Sequence, residues 1–243
     1  MSKTVVVLDP GHGGYDPGAS SNGLKEKELN LVLALKVAER LDGIKVLLTR
    51  ERDIYVSLAD RVALSRRSEP DLFLSLHANA GGGRGFESFI NSSLGAKDPA
   101  VMMQKLVHGQ VMEALVRWEI VDRGLKKAAF YVLRHNPYPA VLIESLFIDN
   151  EREAGIWREP TFIETLAIGV AQGVQVALGL GSQKSVVGGE GVNSNSNKKN
   201  PMEGQVLYTV HVGAFTYLEN ARQRLAEAQQ AGFSDAYIYQ KRE

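Results

Sequence analysis

Cysteine is absent from the sequence, so no disulfide staples the chain and no thiolate can act as a nucleophile. A metal ion could be held only by histidines and carboxylates. A surplus of charge is missing as well. The 28 Lys and Arg residues balance 28 Asp and Glu residues, which leaves none of the basic field that drives nucleic-acid binding, and no nucleic-acid partner is expected. No apolar run approaches the roughly 20 residues a spanning helix needs, so no membrane span is expected either. Met1-Ser2-Lys3 leads straight into a β-branched run with none of the three regions of a signal peptide. The reading is a protein made in the cytoplasm that would need another route to act outside it. What is present is a 243-residue chain with 44% hydrophobic residues, enough for one core of ordinary size and a small appendage.

The chain is organised around Thr4-Val5-Val6-Val7-Leu8-Asp9-Pro10-Gly11-His12-Gly13-Gly14, a buried-strand pattern that stops at Pro and Gly and delivers His12 into a tight loop. From Lys25 to Leu41 the residues Leu29, Leu33, Val37 and Leu41 recur every fourth position, with Val32 and Leu35 widening the stripe, which predicts a core-facing helix. Ile44 to Leu48 reads as a strand and Ser57 to Arg67 as a short helix. Asp71 to Leu76 reads as a strand ending at His77-Ala78-Asn79, and Phe86 to Ile90 as an edge strand. A helix is predicted near Pro99 to Trp118, short strands at Ala129 to Leu133 and Pro139 to Glu144, and a last helix from Pro160 to Gly179. Strands alternating with helices give an α/β three-layer sandwich with a twisted, mostly parallel sheet. Residues 182–205 are polar and Gly/Asn/Ser-rich, a flexible linker between a domain at 1–181 and a small βαβ segment at 206–243.

His12, His77 and Glu144 each follow an apolar strand, and Glu26 opens the helix that leaves the His12 loop. Two histidines and a carboxylate are the ligand set of many hydrolytic zinc sites, where the fourth position is left to water and another carboxylate moves the protons. The spacing alone does not define a site, because the two histidines are not in a short motif such as His-Glu-x-x-His. Glu26 and Glu28 point about 200 degrees apart around a helix, so only one of them can face the histidines. Glu87 could support the site or meet substrate, but reads first as an exposed edge-strand residue; His108 and His135 read as surface or loop residues, and Arg61 and Arg134 could meet an anionic substrate but read first as solvated arginines. A serine esterase, suggested by His12-Gly13-Gly14 after a strand, lacks its Gly-x-Ser-x-Gly nucleophile elbow.

Leu8-Asp9-Pro10-Gly11-His12-Gly13-Gly14, Glu26-Lys27-Glu28-Leu29, Ser75-Leu76-His77-Ala78-Asn79 and Val141-Leu142-Ile143-Glu144 together resemble, in order, the motifs of the zinc-dependent N-acetylmuramoyl-L-alanine amidases of the Amidase_3 family. The resemblance spans about residues 3–180. It implies Zn2+ as cofactor, His12, Glu26 and His77 as its ligands, and Glu144 as the catalytic carboxylate that takes a proton from water and passes it to the departing amine. It implies peptidoglycan as the partner and substrate, cut between N-acetylmuramic acid and L-alanine. Ser145-Leu146 departs from the glycine-containing pair usual after that Glu. The long insertion that blocks the site in some members has no counterpart between Gly85 and Lys126, which implies an open site. Residues 207–243 resemble the first half of a SPOR-type peptidoglycan-binding domain. A sporulation autolysin and a phage endolysin are both compatible with these features, and the oligomeric state is not readable from them.

Overall fold

In the computed structural model, residues 4–180 are described; the linker, the SPOR-like segment and His211 lie outside them. The central sheet has six strands in the order β4-β1-β5-β8-β6-β7, and a two-stranded hairpin stands apart from it. In chain order these are β1 (Val5–Pro10), the hairpin β2 (Ser20–Ser21) and β3 (Leu24–Lys25), α1 (Glu26–Ala38), β4 (Lys45–Leu48), α2 (Leu58–Ser68) and β5 (Leu72–Asn79). β6 (Phe86–Asn91), α3 (Pro99–Ala114), β7 (Asp122–Ala128), α4 (Tyr131–Arg134), β8 (Ala140–Phe147), α5 (Glu151–Arg158) and α6 (Pro160–Ala177) complete the domain. All pairings in the large sheet are parallel except β6 with β8.

The central strands are apolar on both faces, as a covered parallel sheet requires. Val6, Leu8, Leu74, Leu76, Val141 and Ile143 pack into a core with residues of α1, α3 and α6. Val7, Phe73 and Leu142 pack on the other face with Val62 of α2 and Val132 and Leu133 of α4. The expected three-layer α/β sandwich is therefore present.

Several expectations need correction. β6 is not an edge strand: it lies between β8 and β7, and β7 is the edge. The strand expected at Ala129 to Leu133 is instead the short helix α4, and the true strand lies just before it. α1 stops at Ala38, three residues short of the predicted end. It buries Leu33, Ala34 and Val37, but Val32 and Leu35 face solvent. The 16-residue α3 replaces a 20-residue expectation because the chain turns at Leu115 into a single 3-10 turn, Val116–Trp118.

α3 joins β6 to β7 and packs along α6 so closely that glycine is required at the crossing. A Cβ on Gly173 would lie 2.7 Å from Val107 Cα, and one on Gly169 would lie 2.8 Å from Ala114 Cβ. Gly173→Ala is expected to lower stability by about 1–2 kcal/mol in denaturant titration, because forcing the backbones apart costs more than the roughly 1 kcal/mol of helix propensity that alanine returns. An unchanged or raised midpoint would mean that the two helices separate freely.

Candidate active site and metal centre

β1 ends at Pro10, but Gly11 continues its pairing through Gly11 N–H to Leu76 O, 3.0 Å. The chain then turns through His12, which adopts φ 61, a left-handed conformation uncommon for a side chain larger than glycine. Two buried arginines hold that turn. Arg61 donates to Pro10 O at 2.8 Å and His12 O at 2.7 Å, and Arg50 donates to Pro10 O and Gly11 O, both at 2.9 Å. Three successive loop carbonyls that would otherwise be desolvated without partners are thereby satisfied. Asp9, 1% exposed, compensates Arg61 at 2.7 Å and accepts further hydrogen bonds from Thr49 Oγ1 and Ser75 Oγ. Arg61 is thus a buried strut, not the solvated residue its sequence context suggested.

The loop presents His12 to Glu26 and His77. His12 Nδ1 is 2.9 Å from Asp16 Oδ2, which fixes the ring and directs Nε2 towards Glu26 Oε1, 3.2 Å away. His77 Nδ1 approaches the same oxygen to 2.8 Å, and Glu26 Oε2 accepts Ala19 N–H at 2.9 Å. Glycine is needed where the rings lie: a Cβ on Gly11 would sit 2.1 Å from His77 Cε1, and one on Gly18 would sit 2.6 Å from Glu26 Oε2. Of the two carboxylates that open α1, the one the resemblance singles out is turned inward. Glu26 is buried, whereas Glu28 is exposed and paired with Lys25 at 3.1 Å.

One donor atom from each of His12, Glu26 and His77 lies within 4.8 Å of the others, the one such group among the described residues. Tetrahedral zinc with bonds of about 2.0–2.1 Å would hold ligand atoms about 3.3 Å apart, so two nitrogens and an oxygen at these separations fit it, with a position left for water. The bond from His12 Nδ1 to Asp16 is the kind of outer contact that sets the ring's tautomer and orientation for metal binding.

His77 and Glu144 lie inside their strands and not beyond the ends, because β5 runs on to Asn79 and β8 to Phe147. They are register partners, and Glu144 is in turn the register partner of Glu87 on β6. The three side chains therefore share one face in a row across β5, β8 and β6. Glu87 is buried, contrary to expectation, and is bound by Asn79, Arg123 and Lys126. His108 is also buried, between Ser88 Oγ and Asp122 Oδ1, each at 2.9 Å. His135 and Arg134 stay beside each other at the end of α4, Arg134 Nε lying 3.2 Å from His135 Nε2.

Burial is the main cause that pushes the Glu144 carboxyl up to about 7, with Glu26 and Glu87 adding to it. Burial pushes His12 down, but Glu26 and Asp16 outweigh it and raise the imidazole to about 9; His77 is raised in the same sense by Glu26 and Glu144. Burial would raise Glu26, yet its bonds with His12 and His77 hold it well below the usual carboxylate range. The signs for the protein without metal follow. His12 contributes stability that is complete below its ordinary 6.5 and lost as pH rises through about 9. The raised Glu144 favours the folded state less as pH climbs from 4.5 to about 7. With chelator present, Tm is expected to fall between pH 5 and 9. The increment from added zinc should grow over the same window, since the metal displaces fewer protons there. A zinc increment independent of pH would show that these histidines are not the groups it displaces.

The Amidase_3 profile, described as N-acetylmuramoyl-L-alanine amidase, matches residues 6–176. The sporulation-specific N-acetylmuramoyl-L-alanine amidase of Bacillus subtilis is 39% identical over 96% of this chain and 84% of its own length. The endolysin of Bacillus phage SPP1 is 40% identical over 74% of this chain and 68% of its own. The crystal structure of an N-acetylmuramoyl-L-alanine amidase from Clostridium difficile 630 superposes with a TM-score of 0.69 and 33% identity, covering 73% of this chain and 98% of that one. With four motifs brought together by β1, α1, β5 and β8, a covered parallel sheet and a profile that spans most of the sequence, the chain belongs to the Amidase_3 family of N-acetylmuramoyl-L-alanine amidases.

Proposed function

We propose that the chain hydrolyses the amide between the lactyl carboxyl of N-acetylmuramic acid and the L-alanine of the peptidoglycan stem peptide, with His12, Glu26 and His77 holding Zn2+ and Glu144 moving the proton. Bound there, zinc would supply Lewis acidity, acidifying a water and polarising the scissile carbonyl. The chain's own part is positioning and proton transfer. Asp16 orients His12, Ala19 N–H holds Glu26 Oε2, and the two arginines fix the loop between them. Glu144, one strand from His77 and on the same face, is placed to accept a proton from the attacking water and return it to the departing amine.

The observation that carries this reading is the convergence of three donor atoms within 4.8 Å beside that carboxylate. Purified peptidoglycan supplies the test. New amino termini belonging to L-alanine should appear, vanish with chelator and return with zinc. A metal-loaded protein that binds the wall and frees no amine would overturn the enzymatic assignment.

A role in sporulation is the biological setting we favour. The B. subtilis sporulation amidase aligns across 96% of the chain, and so through most of residues 206–243, whereas the phage endolysin aligns over 74%. We assign 1–181 to catalysis, 182–205 to a linker and 206–243 to wall attachment. Deleting 206–243 should weaken sedimentation of the protein with peptidoglycan.

A further inference from the structure

β7 carries a bulge opposite Glu87. Phe86 pairs with Asp122 and Ser88 with Leu125, so Arg123 and Gly124 together face one residue of β6. Gly124 takes φ 81, and Asp122 Oδ1 accepts its N–H at 2.7 Å. Such a bulge re-aims a side chain, and here the Arg123 guanidinium lies 4.9 Å from the centre of the Phe147 ring with its Nε 2.7 Å from Glu87 Oε2. Lys126 Nζ binds that same oxygen, while Asn79 takes Oε1. Two cations share one carboxylate, leaving one positive charge uncompensated in the group. Both side chains remain about one-third exposed, although Glu87 itself is buried.

The sheet order gives this charge a direction. From the His12, Glu26 and His77 group, the row passes through Glu144 on β8 and Glu87 on β6 to Arg123 and Lys126 on β7. A leaving peptide that starts at Glu144 and runs along this face away from the three-donor group would cross β6 and β7. Strands are about 4.8 Å apart, so β7 lies roughly 10 Å beyond Glu144, and an extended peptide covers about 3.3–3.6 Å per residue.

We propose that Arg123 and Lys126 form a subsite for a carboxylate borne by the second or third residue of the leaving peptide, with Glu87 as the buried anchor that holds both cations in place. The proposal rests on the amidase reading and on the role assigned to Glu144. It makes these two residues determinants of substrate choice and leaves the chemical step to the other groups.

The test uses the zinc-loaded full-length protein and matched synthetic muropeptides whose second or third residue carries either a free carboxylate or a carboxamide. The wild type is expected to prefer at least one free-carboxylate substrate about tenfold or more in kcat/KM, the scale of a charge-assisted hydrogen bond, mostly through KM. Arg123→Gln should bring that ratio close to one, and Arg123→Lys should retain most of it. Should Arg123→Gln fail to fold, Lys126→Gln reads the same ratio. A wild type that cleaves both members of every pair equally, or variants that keep the wild-type ratio, would overturn the subsite and leave the amidase reading standing. A wild type that cleaves neither member would overturn the amidase reading itself.

Discussion

Glu144→Gln is expected to lower kcat on peptidoglycan by about 10^2–10^4 while zinc stays bound at one equivalent, the range over which a positioned proton carrier contributes. Glutamine keeps the shape of the side chain and cannot cycle a proton. Glu144 is separate from the three-donor group, so the substitution removes proton transfer and leaves the ligand atoms in place. His77→Ala should behave differently, losing activity together with the metal, because His77 contributes one of three donors that leave no spare. Glu28→Gln provides the comparison, being exposed and paired only with Lys25; its activity should match the parent. The measurements are turnover on wall fragments and metal content by elemental analysis. Near-normal turnover in Glu144→Gln would remove Glu144 from the proton-carrying role.

The parts of this fold that the sequence announces are those dominated by local chemistry. β1 and β5 are runs of apolar residues ending at motif residues, α1 repeats every fourth position, and Pro99 and Pro160 stand at the first position of their helices. β7 is illegible because Asp122-Arg123-Gly124-Leu125-Lys126-Lys127-Ala128 contains almost no apolar residue; it is an edge strand held by pairing to β6 and by polar contacts from Gln104 and His108 of α3. α5 was missed for a related reason, since only Ala154, Trp157 and the carboxylate Glu153 are buried along it. The site shows the same division. His12, Glu26, His77 and Glu144 were marked by motif. Arg61, Glu87 and His108 looked solvated because their partners lie 52, 36 and 14 residues away, and no local pattern records a charge neutralised at that range. Helix arithmetic alone leaves Glu26 and Glu28 open, the motif singles out Glu26, and Glu26 is the one that α1 buries.

Arg61→Ala is expected to destabilise the domain by about 3–5 kcal/mol, the cost of breaking a buried ion pair and leaving one charge behind. That is a large part of the roughly 5–15 kcal/mol that holds a typical domain together. The stranded group would be Asp9, 1% exposed and left with Thr49 and Ser75 as its side-chain partners. The same change removes the donor to His12 O, and the donor Arg61 gives to Pro10 O, so zinc affinity should fall along with stability. The double variant Asp9→Asn with Arg61→Met separates the two consequences. It buries no unpaired charge and should recover most of the stability, since replacing a buried pair by neutral groups is often nearly free. It cannot restore the hydrogen bond to His12 O, so the left-handed turn that aims the imidazole stays loosely held and zinc affinity should remain low. Denaturant titration and zinc competition on the two variants decide the matter. If the double variant recovers both stability and zinc affinity, Arg61 acts only as the counter-charge of Asp9 and the loop keeps its shape through Arg50 alone.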